Sequence, residues 1–166
     1  MKRGFTLIEL ILYIAIVGTI LLAVGAIALN ILFGKAKLTS VEEVSQNGRM
    51  ALETVSQGIR DAEAVNSPAS GASASSLSLR MADAAKNPTV FDLSGGVLRV
   101  TEGAGAAIAL TAADVTVTSL QFSNVSYAAT PGSVRIRMAV KRTNPENRQE
   151  YAFEKTFYSS ANIRKK

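Results

Sequence analysis

The sequence contains no histidine, no cysteine and no tryptophan. Each absence removes a class of chemistry. Without imidazole or thiolate, the only side-chain metal ligands left are oxygens. Ser-His-Asp and Cys-His nucleophilic catalysis are excluded for the same reason. No disulfide can form, so cysteine usage is silent about redox compartment. Proline is scarce, and none stands before Pro68. Charged residues make up only 19% of the 166 residues, with a formal net charge of +5. Hydrophobic residues reach 48%, and this excess is unevenly spread.

Most of it lies at the front. From Phe5 to Phe33 the one charged residue is Glu9, and from Leu10 to Leu29 there is none. About twenty apolar residues at ~1.5 Å rise span a hydrocarbon core of about 30 Å. Lys2 and Arg3 precede the run; Lys35 and Lys37 follow it. The short basic head favours a cytoplasmic N-terminus, although Lys35 and Lys37 act against that bias. A cleaved secretory signal competes with a retained transmembrane helix, because Ala26-Ile27-Ala28 has the small-residue pattern of a cleavage site. The length of the run, past the usual signal-core size, favours retention.

Helical period continues beyond Phe33. Leu38, Val41, Val44, Gly48, Leu52, Val55, Ile59 and Ala62 recur at spacings of three and four, which predicts one apolar stripe on an amphipathic helix. Glu42, Glu43, Gln46, Asn47, Arg49, Glu53, Gln57 and Arg60 form the other face. Gly34 is a soft point, and Ser40-x-x-Glu43 has the form of a capping box for a second helix. One unbroken helix to Val65, about 90 Å long, is the preferred reading.

Residues 66–76 are small and turn-forming and read as a linker loop. The period then changes to two. Leu77–Met81, Val90–Leu93 and Val97–Thr101 read as strands, the last two joined by a hairpin at Ser94-Gly95-Gly96. Apolar parity shifts between Val117 and Leu120, which predicts a bulge or a strand break near Ser119. Ser133–Arg142 is the clearest strand, with Val134, Ile136, Met138 and Val140 on one face and Arg135, Arg137 and Lys141 on the other. Asn144-Pro145-Glu146-Asn147 is a turn, and Tyr151, Phe153 and Phe157 follow in alternation. Alternating strands bury one face, and the amphipathic stripe is the available cover. The expected fold is α+β: a long N-terminal helix packed on an antiparallel β head.

Gly4-Phe5-Thr6-Leu7-Ile8-Glu9-Leu10 after a short basic leader resembles the N-terminus of type IV prepilins and type II secretion pseudopilins. The layout behind it, long helix then antiparallel sheet, resembles that family too. The resemblance implies a leader at 1–4 removed by a prepilin peptidase between Gly4 and Phe5. It implies N-methylation of Phe5, and an assembly role for Glu9 against the Phe5 amine of a neighbouring subunit. The remaining segments are then a filament-core helix over 5–33, an amphipathic helix over 34–65, the linker at 66–76 and a head over 77–166. The implied product is a structural subunit of a pilus or secretion pseudopilus, not an enzyme, with no cofactor. Its partners are other pilins or pseudopilins, the peptidase, an inner-membrane assembly platform and membrane lipid. The head is expected outside the inner membrane. The sequence departs from many major pilins in having no proline in the apolar helix and no cysteine pair. Residues 47–65 and the Tyr151-x-Phe153-x-x-x-Phe157 pattern look more like minor pilins and J-type minor pseudopilins. A major pilin or DNA-uptake pseudopilin is the alternative within the family. Outside it, the alternative is a single-pass anchored or secreted binding domain.

Other chemistry is weaker. Asp83, Asp92 and Asp114 lie far apart with no calcium-loop spacing and read as solvated carboxylates. Gly95-Gly96 and Gly103-x-Gly105 lack the Lys-Ser/Thr of a phosphate loop and read as turns. Arg135, Arg137, Lys141, Arg142, Arg148 and Arg164-Lys165-Lys166 offer phosphate neutralisation, which makes DNA a candidate partner. Alternating arginine on a wet strand face is also the ordinary device for keeping a sheet soluble and protecting an edge, and that reading is preferred.

Overall fold

A computed structural model describes residues 6–127 and 132–164. Its spine is α1, Leu7–Asp61, a single unbroken α-helix. Fifty-five residues at ~1.5 Å give a rod of about 80 Å. Gly18, Gly25 and Gly34 do not interrupt it. Ser40 does not cap a second helix; its hydroxyl donates back to the Ala36 carbonyl at 2.9 Å.

The strands follow as β1 Ala64–Ser67, β2 Ser73–Ala74, β3 Leu77–Arg80, β4 Thr89–Ser94, β5 Val97–Glu102, β6 Ile108–Ala109, β7 Val115–Asn124, β8 Ser133–Arg142 and β9 Glu154–Asn162. They form two antiparallel sheets rather than one. The first has the order β1-β3-β4-β5-β6 and the second β2-β7-β8-β9. The layout is α+β and pilin-like, with the long helix leading into a β head.

The helix stops four residues short of Val65. Ala62 is already extended, and the Glu63 amide donates to the Arg80 carbonyl at 2.8 Å. Ala64 and Val65 then pair with Arg80 and Leu79. Val65 would continue the apolar stripe, three residues after Ala62, but the backbone partner offered by β3 takes both residues. The 66–76 segment is likewise not all loop. It ends β1 and contains β2, whose Ser73 and Ala74 pair with Ser123 and Phe122. Small residues carry no apolar alternation, so this pairing leaves no periodic trace. Tyr151 lies in a short 3-10 turn at Gln149–Tyr151, and Phe153 precedes β9 instead of lying in it.

Where the alternation was strong, strand and register agree with it. β8 spans Ser133–Arg142, with Val134, Ile136, Met138 and Val140 fully buried. The β7–β8 register shifts between Val117 and Ser119, placing the bulge where the parity changed. Gly95 and Gly96 both adopt positive φ in the tight β4–β5 turn. That backbone region is strained for side chains with a Cβ.

The second half of α1 lies chiefly against β9 and β8. Val44, Ala51, Leu52, Val55 and Ile59 bury against Phe122, Ile136, Met138 and Phe157 in one continuous core. Each fully buried Val or Ile contributes about 1.5–3 kcal/mol relative to exposure. Leu38, expected in the stripe, is 69% exposed, because it lies on the opposite side of the helix from Ser40, the residue that faces the head at that turn. Ser40 and Ser56 are buried instead. The Ser56 hydroxyl shares a hydrogen bond with that of Ser159 at 3.2 Å, which satisfies both groups.

Gly48 sets how closely helix and sheet approach. A Cβ there would stand 2.3 Å from the Phe157 ring. A Gly48→Leu chain should therefore lose about 1–3 kcal/mol in denaturant unfolding. In a Phe157→Ala background the same change should cost less, since the obstructing ring is gone. Equal costs in both backgrounds would contradict this packing.

Candidate functional site

Among the described residues, the first half of α1 is left almost bare of the head. From Leu7 to Lys35 every side chain is exposed, Gly18 alone being half-covered. An 18-residue window of this helix has mean hydropathy 2.7 and none of it is buried. Leu10–Phe33 at ~1.5 Å rise is about 36 Å, enough to cross a hydrocarbon core. Water is a poor solvent for such a surface, and patches beyond a few hundred Å2 mark membrane or protein contact. The hydroxyl of Thr19 donates to the Ala15 carbonyl at 2.8 Å and so stays satisfied in an apolar medium.

Local chemistry fixes where this helix starts. Thr6 is extended, and its hydroxyl accepts from the Glu9 amide at 3.4 Å. That is an N-cap. Glu9 is the acidic residue of the first turn, exposed, near the positive end of the helix dipole. Gly4 and Phe5 lie outside the described residues. Glu9 is thus the one of the three expected site residues that the structure describes. It has the carboxylate at the beginning of an otherwise uncharged apolar rod.

The other end of the rod is tied to the head. Lys37 donates to the Ala152 carbonyl, and its ammonium lies 5.9 Å from the Phe153 ring centroid. Nearly two turns further, Glu43 and Arg142 form an ion pair, both partly buried. Asn47 accepts from the Ala112 amide at 3.1 Å. In the turn beside Lys37, Arg148 Nε donates to Glu150 at 2.7 Å. That bond raises the Arg148 pKa. A hydrogen bond from its own backbone amide, and then Arg148, hold the Glu150 carboxyl below the ordinary carboxylate value. The resulting support for this turn is present above the unfolded carboxylate pKa and is lost as pH falls through the depressed value.

The remaining candidates separate. Asp83 accepts from the Ala85 amide at 2.9 Å and caps a 3-10 turn. Asp92 makes a two-pronged pair with Arg99 at 3.0 and 2.7 Å. No group of three metal-ligating side chains occurs among the described residues. The basic set does not act as one patch either. Arg142 faces α1 with Glu43, and Arg148 serves Glu150. Arg135, Arg137 and Lys141 remain together on the outer face of β8. That strand is paired on both sides, by β7 and β9, so edge protection does not account for its arginines.

Residues 1–25 match the family model for the prokaryotic N-terminal methylation motif. The chain carries a prepilin-type N-terminus. Gly4, Phe5 and Glu9 all fall inside the matched segment, as does the start of the uncovered apolar helix. No curated protein and no solved structure matches the chain. The motif and the long apolar helix together fit a membrane-anchored protein of the type IV pilin or pseudopilin kind.

Proposed function

We propose that this chain is a subunit of a type IV pilus or type II secretion-like pseudopilus, and a minor, initiating or tip subunit of it. One observation carries the reading: the methylation motif opens a rod whose apolar half is bare and whose other half is built into a folded head. The bare half has two compatible environments. One is lipid; the other is a bundle of like helices. Transfer between them keeps apolar surface away from water throughout, so the step costs little hydrophobic free energy. Because α1 is continuous, pulling on the rod moves the head with it.

In this account a prepilin peptidase cleaves between Gly4 and Phe5 on the cytoplasmic side of the inner membrane. The new Phe5 amine is N-methylated. The helix waits in the bilayer with the head outside, and an inner-membrane platform delivers it to the other pilins. Glu9 then meets the Phe5 amine of a neighbour. The minor role rests on the resemblance of residues 47–65 and of the terminal aromatic pattern to minor subunits.

Gly4→Glu tests the first step. A peptidase must bring backbone close at the scissile bond, where a large charged side chain intrudes. The variant should accumulate with its leader and be missing from sheared filaments. Normal processing of Gly4→Glu would contradict the assignment.

A further inference from the structure

Among the described residues β9 has β8 on one side and no strand on the other. The remaining edge strands, β1, β2 and β6, are two to four residues long and offer little to an incoming chain. β9 has nine residues, contains no proline and pairs with β8 without a register shift. From Thr156 to Asn162 it has no charge. It therefore lacks the devices that blunt an edge. We infer that the β9 edge is a docking site for an extended acidic segment of another protein, which joins the second sheet as one more antiparallel strand.

Hydrogen-bond parity identifies the groups that would take it. The Ile163 amide donates to the Gly132 carbonyl, and the Arg142 amide to the Phe153 carbonyl. Opposite residues of an antiparallel pair exchange such bonds at every second position. With the register unbroken, Lys155, Phe157, Ser159 and Ala161 are bonded to β8. Thr156, Tyr158 and Ser160 turn their N–H and C=O groups to the open side. These three have no backbone partner among the described residues, and their side chains are exposed.

An added strand would alternate its side chains between two faces. The inner set goes beneath α1. At ~100° per residue Leu38, Ser45, Arg49 and Ser56 share one flank of that helix. Ser56 reaches Ser159, so the flank overhangs β9, and Leu38 is its exposed apolar residue. The inner set is therefore apolar. The outer set lies beside Tyr158 and Ser160, which stand opposite Arg137 and Arg135. The Arg137 guanidinium is 6.0 Å from the Tyr158 ring centroid, leaning from β8 toward the edge. Neither arginine has a carboxylate partner among the described residues, and Glu154 on the same face is held by the Thr118 hydroxyl at 2.7 Å. Acidic residues in the outer set complete these pairs. A second copy does not fit, since its own edge brings the same unpaired arginines. Its rod would also be misdirected. β9 runs the same way as α1, with Phe157 at Gly48, Ser159 at Ser56 and Arg164 at Arg60. Antiparallel pairing of two β9 edges would point the two apolar rods in opposite directions.

The test uses the full chain in neutral detergent micelles and a labelled peptide of about seven residues, alternating valine with glutamate. Fluorescence anisotropy should show saturable binding. Opposite residues share a face, so the glutamate amides are the ones that turn toward β9. N-methylating them should weaken binding at least about tenfold, while N-methylating the valine amides leaves it within about twofold. Lysine in place of glutamate should weaken it at least about tenfold. Tyr158→Pro removes an outward donor without breaking a bond to β8, and should weaken it at least about tenfold. In the unmutated chain, peptide should slow amide exchange at Thr156, Tyr158 and Ser160 and leave Phe157 and Ser159 unchanged. Absence of saturable binding overturns the proposal. So does equal binding of the two N-methylated peptides, equal binding of the lysine peptide, or unchanged exchange at the three outward amides. A dimer formed without peptide and lost in Tyr158→Pro also overturns it, making a second copy the occupant.

Discussion

A Glu9→Val chain is expected to insert in the membrane and lose its leader normally, and to be nearly absent from filaments. Valine makes the rod more apolar, so residence in lipid is no worse. The N-cap survives, because Thr6 receives the backbone amide of residue 9 and not its side chain. Local helix geometry is therefore preserved, and any loss must come from the carboxylate. In the proposed assembly that carboxylate meets the amine of a neighbouring Phe5. At about 4 Å and an effective dielectric near 20, such a pair is worth about 4 kcal/mol before desolvation. Desolvation takes back a large part. A net of about 1.5 kcal/mol is still a tenfold change in occupancy. The pair also fixes axial register, which Leu10–Leu29 cannot do, having no charge of its own. The measurement is the amount of variant in sheared filaments at matched membrane levels. Equal incorporation of Glu9→Val and wild type would leave Glu9 as a carboxylate that reaches only to the interface.

The second large effect is expected at Ile59, which is fully buried between α1 and the sheets. Ile59→Asp removes its packing and places an unpaired carboxylate in the core. Together these should cost about 5 kcal/mol or more. That is comparable with the whole stability of a small domain. The head should lose its cooperative transition and become protease-sensitive, while α1 still anchors the chain. Ile59→Val, which removes one methyl group, should cost only about 0.5–1.5 kcal/mol. A head that melts cooperatively with Asp at position 59 would show that α1 is not the cover of the sheet.

These two sites differ in how far the sequence alone reveals them. Ile59 belongs to a stripe at spacings of three and four, and a stripe of that kind must face a core. Burial at Val44, Leu52, Val55 and Ile59 agrees with it. The period has no information on where the helix stops. Val65 fits it, yet it pairs with Leu79 across a sheet. Pairing choices of that kind are decided by residues far along the chain. The same limit hid the split into two sheets and the strand at Ser73–Ala74, whose small side chains have no apolar contrast. Buried serines were missed because their hydroxyls find partners that a sequence does not display, as Ser56 does in Ser159. Charge puts Glu43 on a wet face, and Arg142 lets it sit partly buried. At the N-terminus the signal is local. A single acid in a long uncharged run after a basic leader is visible in the sequence itself, and the motif match covers it.

The central claim concerns a subunit cleaved, methylated and assembled through its N-terminal helix. It is tested most directly by intact and N-terminal mass measurement of the chain recovered from sheared filaments. The account predicts a chain that begins at Phe5 and has one added methyl group on its amine. A chain that still begins at Met1, or one that begins at Leu29 after removal of a secretory signal, would contradict it.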